Sequence, residues 1–214
     1  DEPAQLPFMG IGDVTVSGVK ARLFRISFSG ERGYEIAVPA RYGDSLFRLL
    51  VAQAEAMGGG AYGIEALNVM RIEKGFITHA EIHGRTTADD IGVQGMVSQK
   101  KDCIGKVMSE REGLMDDREE LVGLRPVDGT TLLTAGAFLF PEAAEPVRTN
   151  AQGYLTSACF SPTLGHPLAL GFLLNGRVRH GERLRLVDHL RKIDVAVEVT
   201  DPVVFDPEGG RARG

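Results

Sequence analysis

Glu35 closes the run Gly30-Glu31-Arg32-Gly33-Tyr34-Glu35, and the two glycines mark a turn that delivers this carboxylate onto a strand-like segment continuing through Ile36 and Val38. A carboxylate can accept two side-by-side N–H donors at once, in a charge-assisted pair stronger than a neutral hydrogen bond. Read from the residues alone, Glu35 is equally an exposed glutamate on the solvent face of an edge hairpin. His79, Glu81 and His83 form a second group, sharing one face if their segment is extended. That set has the donor types of a metal site, and a polar strand face is the competing reading. The spacing in Gly58-Gly59-Gly60-Ala61-Tyr62-Gly63 fits G-x-G-x-x-G, but it follows a helical pattern where a dinucleotide fold requires a strand. With no G-x-S-x-G, P-loop lysine or H-E-x-x-H motif, acyl transfer, nucleotide hydrolysis and zinc proteolysis have no support.

The elements that position these groups follow from periodicity. Residues 19–28 alternate apolar and polar, with the apolar set moving from Val19, Ala21 and Leu23 to Phe24, Ile26 and Phe28; the change of parity predicts a bulge in one long strand. Tyr34, Ile36 and Val38 then face one way and Glu35 and Ala37 the other, completing a hairpin. Leu46, Leu49, Leu50, Ala54 and Met57 have helical spacing over residues 44–57, and Gly58-Gly59-Gly60 ends that helix. A second helix is expected from Ile64 to Lys74, stopped by Gly75. Beyond residue 115, strand-like runs at 120–124, 135–139, 154–160, 169–174, 182–187 and 193–199, with a turn at Asn175-Gly176, predict a small antiparallel barrel or sandwich. The charged stretch 110–119 marks the boundary, and residues 206–214 read as a disordered tail.

Composition bounds the rest. The chain has 214 residues, 43% of them hydrophobic and 25% charged, enough to bury a substantial core as one domain or two small ones. A net charge of -5 with scattered Lys and Arg gives no footprint for a phosphate backbone, so nucleic acid is not expected as a partner. Cys103 and Cys159 lie far apart without C-x-x-C spacing, which argues against a disulfide framework or a cysteine zinc site. The uncharged run 168–174 falls well short of the roughly 20 residues of a membrane helix, and the first ten residues lack a signal-peptide pattern. A cytoplasmic protein with no membrane partner is expected.

Three blocks, in order, carry a family likeness. Gly30-Glu31-Arg32-Gly33-Tyr34-Glu35-Ile36, then Arg71-Ile72-Glu73-Lys74-Gly75, then Thr156-Ser157 with Ser161-Pro162-Thr163-Leu164 and Leu168-Ala169-Leu170-Gly171 resemble the signatures of the glycine-cleavage T-protein (aminomethyltransferase) superfamily. The wording of residues 63–76 is most similar to its sarcosine oxidase alpha-subunit branch. The resemblance covers nearly the whole chain and implies an α+β fold: residues 1–112 as the C-terminal half of a T-protein-like folate-binding domain, and residues 113–214 as a small antiparallel β-barrel. Leu6-Pro7-Phe8-Met9 is similar to the midpoint of the T-protein module, so the chain is expected to be the C-terminal piece of a longer polypeptide.

What the resemblance implies about function is specific. The ligand is tetrahydrofolate, and Glu35 matches the glutamate that anchors the pterin through its adjacent ring and amino N–H groups. Phe28 stands where T-proteins carry a tyrosine near the folate; it either stacks on the pterin or joins the core with Phe24 and Ile26. T-proteins have A-R-D at Ala66-Leu67-Asn68, so the arginine that can hold the folate tail is replaced by Leu67, as in sarcosine-oxidase-like sequences. Arg71, one helical turn on, either substitutes for that charge or makes a surface salt bridge with a neighbouring glutamate. His79 falls near the folate pocket, roughly at a family tyrosine, and Cys103 replaces the aromatic residue of a D-F-I-G-K motif as a buried small residue. The branch implies a heterotetramer in which FAD, FMN and NAD are bound outside this chain, with the other sarcosine oxidase subunits and the upstream half as partners. The family's catalytic aspartate lies in that upstream half, so no catalytic residue is assigned here and the isolated fragment is expected to be inactive. The alternatives are an aminomethyltransferase and a non-catalytic assembly module of a flavoprotein amine oxidase.

Overall fold

A computed structural model of the chain describes residues 6–112 and 116–214. It divides into two compact units, one formed by residues up to Arg71 together with Asp206–Gly214, the other by Ile72–Phe205.

The first unit is built on a three-stranded antiparallel sheet, β1 (Ile11–Val16), β2 (Val19–Phe24) and β3 (Glu35–Ala37), in that spatial order. Ser17 and Gly18 both have positive φ, the backbone that a two-residue hairpin needs to match strand twist, and they pair Val16 with Val19. The predicted bulge is absent: β2 stops at Phe24, and the change of parity marks the strand's end because Arg25 turns its side chain inward. Ala21 and Leu23 are buried, while Arg22 and Phe24 face the other way beside Ala37 and Glu35. Helix α1 (Gly43–Ala56), the β1–β2 hairpin end and the segment just after β3 line a shared apolar cleft of about 250 Å³, including Val16, Val19, Val38, Leu46 and Leu49. Its end is the one the glycines forecast: Gly58 N–H donates to Glu55 O and Gly59 N–H to Ala54 O, with Gly58 at φ +81°. Helix α2 (Ile64–Glu73) follows.

The second unit is a closed six-stranded antiparallel barrel. Its strands are β4 (Glu119–Pro126), β5 (Phe138–Pro141), β6 (Gly153–Ser161), β7 (His166–Leu174), β8 (Arg183–Asp188) and β9 (Ile193–Thr200). Each overlaps one of the six predicted runs or, for β5, meets it, and closure runs β4-β7-β6-β5-β8-β9. Val122, Leu124, Leu139, Leu155, Leu173, Leu184, Leu186 and Val197 fill the interior. β7 is buried along nearly its whole length, because its outward residues Leu168, Leu170 and Phe172 pack with Ile72, Leu121, Ile77 and Ile91. A bulge lies in β6, between Leu155 and Ser157. A short helix, α3 (Lys106–Ser109), precedes the barrel, and the expected boundary stretch 110–119 includes residues 113–115, which lie outside the described residues.

Two expectations are corrected here. Residues 206–214 are not a loose tail: they form a turn and the short helix α4 (Gly210–Arg213), with Ala212 only 5% exposed, because Asp206 caps its first amides. Cys103 is exposed, since its segment has turn geometry with no strand or helix to bury it.

Asp90 fastens the irregular segment before the barrel. Its carbonyl accepts from Leu121 N–H, and its carboxylate accepts from Thr87 N–H and Arg118 Nε–H, at 2.7 and 2.8 Å. Burial opposes the charged form, but the hydrogen bonds from Arg118 and Thr87 outweigh it and hold this carboxyl below its usual range. A depressed folded-state pKa gives stability that is present above the unfolded carboxyl value, about 3.9, and is lost as pH falls through the lower folded value. Asp90→Asn is expected to lower the thermal midpoint at pH 7 and to flatten its fall below about pH 4, measured by circular dichroism melts across pH 2–7.

Candidate functional site

Of the residues picked out from sequence, Glu35 is exposed and opens β3 directly opposite Phe24. Strand alternation places Ala37 and, on β2, Arg22 on the same face. An open concave surface of about 1000 Å³ runs across this sheet, lined by Ala21, Leu23, Phe24, Ile36 and Val38 among others; Glu35 stands at its border and does not line it. Phe28 is 40% exposed, in the connection between β2 and β3 and outside the buried core. Arg71 is 4% exposed, so its setting is not the surface; its Nε–H donates to Asn68 Oδ1 at 2.8 Å. His79 is exposed and belongs to the other unit.

The histidine-glutamate face does not form. Residues 79–81 are a turn and 82–83 are irregular, with no strand among them, so the period-two argument fails. His79 and His83 stay at the surface while Glu81 is fully buried, and no cluster of three metal-type donors exists among the described residues. His83 Nε2 lies 3.3 Å from the Tyr154 hydroxyl and its ring packs edge-on against Phe172. Burial, with the nearby Glu119 charge, raises the Tyr154 phenol above its ordinary value.

What the signature motifs do build is a pair of buried carboxylate nodes. Glu73, from the Arg71-Ile72-Glu73-Lys74-Gly75 block, is 3% exposed and accepts from Ser161 Oγ at 2.5 Å and Thr163 Oγ1 at 3.1 Å. Those hydroxyls belong to the Ser161-Pro162-Thr163-Leu164 block at the end of β6. Glu81 accepts from Thr156 Oγ1 and Ser157 Oγ through one oxygen, at 2.7 and 2.6 Å. Its other oxygen accepts from Thr78 N–H and Oγ1, at 2.8 and 3.1 Å. Isolated buried carboxylates are costly, and hydroxyl and amide donors converging on each one offset that cost. Gly75 completes the junction: its φ is +65°, and a Cβ there would sit 2.7 Å from Pro202 O. Glu73, Gly75, Thr156, Ser157, Ser161 and Thr163 all fall in the signature blocks and Glu81 in the candidate metal face, but none of the pairings to β6 and the loop after it was assigned, since those partners are separated by 75 to 90 positions.

Buried Arg25, 2% exposed, was also overlooked. It stands at the entry to the Gly30–Glu35 turn, with its guanidinium carbon 5.1 Å from the Tyr34 ring centroid.

Comparison with known proteins joins these features to a family. The chain matches the GCVT N-terminal domain over residues 1–101 and the glycine cleavage T-protein C-terminal barrel domain over residues 120–206. It is 41% identical to sarcosine oxidase subunit alpha of Rhizobium meliloti over 212 residues, covering 97% of this chain and 22% of the relative. Sarcosine oxidase subunit alpha of Corynebacterium sp. strain P-1 is equally similar, at 41% over the same share. Aminomethyltransferase of Mycobacterium tuberculosis H37Rv is 31% identical over 177 residues, 80% of this chain and 45% of that one. The chain thus spans about a fifth of the length of its sarcosine oxidase relatives. The crystal structure of glycine cleavage system aminomethyltransferase T from Bartonella henselae superimposes with a TM-score of 0.78 at 22% identity, over 96% of this chain and 55% of that one, a likeness of fold. Among the described residues, no helix is long and apolar enough to cross a membrane.

Substituting Glu81 tests the nodes. Glu81→Ala removes the acceptor shared by Thr156, Ser157 and Thr78 and is expected to cost at least about 2 kcal/mol in urea denaturation. Glu81→Gln should cost less, since one amide oxygen still receives Thr156 and Ser157 while the NH₂ confronts the Thr78 amide.

Proposed function

Because this chain belongs to the glycine-cleavage T-protein superfamily, we propose that it is the folate-binding portion of a heterotetrameric sarcosine oxidase alpha subunit, holding tetrahydrofolate to accept the one-carbon unit of oxidised sarcosine. The observation that carries this reading over its rival is the 41% identity to sarcosine oxidase alpha subunits along 97% of the chain, against 31% over 80% for aminomethyltransferase. Leu67, uncharged where T-proteins are expected to carry arginine, points the same way. The division near residue 112 into a folate-binding part and a barrel belongs to the same reading, supported by family matches that end at 101 and resume at 120.

Glu35 is the proposed pterin anchor. Its carboxylate is free of the core and stands across from Phe24, so an aromatic ring flanks the acceptor that would receive the pterin's two N–H donors. Phe28, partly exposed before the turn, supplies a second aromatic face. His79, whose side chain is exposed, is a proposed folate-binding residue on the family resemblance alone. The burial of Arg71 and its bond to Asn68 give it an indirect part, ordering the helix position next to Leu67.

The chemistry on this reading is positional. Bound tetrahydrofolate supplies a nucleophilic nitrogen, and the chain's residues hold it where an imine carbon from the amine arrives, making a local reaction of a bimolecular encounter. The oxidation itself would be supplied by FAD and FMN, with NAD also held, in parts of the holoenzyme outside this chain. Sarcosine, tetrahydrofolate and dioxygen would give glycine, methylene-tetrahydrofolate and hydrogen peroxide, dioxygen taking the two hydrogens removed from the amine, and the isolated chain is inactive. The cytoplasm is the compartment that fits these cofactors. Similarity to aminomethyltransferases keeps one competitor, a transferase without oxidase activity.

Glu35→Gln is expected to weaken binding of 5-formyltetrahydrofolate to the full-length protein by about 10- to 100-fold, the loss of one charge-assisted pair. Sarcosine oxidation without folate should persist. Calorimetry showing unchanged affinity in Glu35→Gln refutes the anchor, and absence of sarcosine oxidation in the wild type favours the transferase.

A further inference from the structure

We infer that residues 206–214 position the turn carrying Glu35, and that Arg25 is the positioning residue through which they act. The inference deepens the folate reading and rests on it for its functional consequence.

Phe24 ends β2 and Glu35 begins β3, so residues 25–34 enter the proposed ligand strand without ladder pairing between these strands. Arg25 is fixed at the near end of that connection: its N–H donates to Gly10 O and its carbonyl accepts from Met9 N–H, at 2.9 and 2.8 Å. Its buried guanidinium then reaches three carbonyls. Nη1 donates to Ala212 O at 3.1 Å and to Gly33 O at 3.4 Å, and Nη2 donates to Arg213 O at 3.3 Å. Two of these acceptors come from the last turn of α4, where helix carbonyls lack intrahelical partners and the dipole favours a cation. The same guanidinium lies over the Tyr34 ring. On the other side of the turn, Arg211 Nε donates to Glu31 Oε1 at 2.6 Å.

Glu31, Gly33 and Tyr34, three of the four residues before Glu35, are therefore held by Arg25 or by the 206–214 segment. Four helical residues do not persist on their own. α4 exists because Asp206 caps it, Ala212 is buried and Arg25 donates to its carbonyls. Displacing the segment leaves a buried guanidinium short of acceptors, which loosens the turn and with it the aim of the Glu35 carboxylate.

The experiment compares wild type, Ala212→Lys, Arg25→Lys and the pair Glu31→Arg with Arg211→Glu in the full-length protein. Ala212→Lys alters nothing between residues 25 and 35 yet forces the segment out. It is expected to speed amide exchange at residues 29–35 by about tenfold or more and to raise the 5-formyltetrahydrofolate Kd by about tenfold. The kcat and KM for folate-independent amine oxidation should be unchanged. Arg25→Lys, which keeps charge but not the guanidinium fork, should do the same. Each charge reversal alone should weaken binding a few-fold and the two together restore it, an effect on an exposed pair that global unfolding does not mimic. Unchanged exchange at residues 29–35 in Ala212→Lys overturns the clamp. Faster exchange with unchanged Kd overturns its positioning role. Wild type that binds no folinate, with exchange still accelerated in Ala212→Lys, sinks the folate reading and leaves the clamp standing. Should Ala212→Lys not fold, the reversal pair decides by rescue or its absence.

Discussion

Two carboxylates sunk against barrel hydroxyls, Glu73 and Glu81, are the constraint on which the second unit depends. Each takes a charge out of water, and each is tolerable only because donors converge on it from strand β6 or the loop after it. The arrangement is directional in a way that apolar packing is not. Leu168, Leu170 and Phe172 would accept many apolar surfaces, whereas the oxygens of Glu73 and Glu81 are satisfied only when the end of α2 and the segment after it lie in one register on the barrel. Gly75 makes the approach sterically feasible by admitting the 202 carbonyl where a side chain would stand.

The first unit solves a different problem with fewer means. Its sheet has three strands, one only three residues long, and helix α1 buries none of its residues fully. Order at the Glu35 end comes instead from a guanidinium serving carbonyls of separate segments. A five-donor planar cation suits that task because it links several acceptors without needing a hydrophobic core around them.

The barrel was legible in the sequence because its strands are short strand-like runs bounded by turn residues and need no distant information to be recognised. Helices α1 and α2 were legible for the same reason, their stop signals being glycines at φ +81° and +65°. β1 escaped notice, since Gly10 and Gly12 dilute its apolar alternation. Parity misled at Arg25, where an inward charged residue imitates a bulge. Period-two reasoning misled again at His79, Glu81 and His83, because the segment is not a strand and Glu81 is claimed by hydroxyls 75 and 76 positions away. Composition failed for residues 206–214, whose order comes from Arg25, 187 positions from Ala212. Signature blocks thus marked Glu35, Glu73 and the β6 hydroxyls but not Glu81, and only coordinates revealed that Glu73 and Glu81 serve assembly while Glu35 is left to the surface.

Strand β7, nine residues without a charge other than a histidine at its start, has apolar side chains on both of its faces. Excising the barrel at the limits of its family match, 120–206, would strip away Ile72, Ile77 and Ile91 and bare Leu168, Leu170 and Phe172 as a sticky β-ribbon. The piece that expresses without aggregating should accordingly begin near Ile72, before Glu73 and Glu81, so that the smallest soluble module and the conserved-domain boundary are offset by nearly fifty residues.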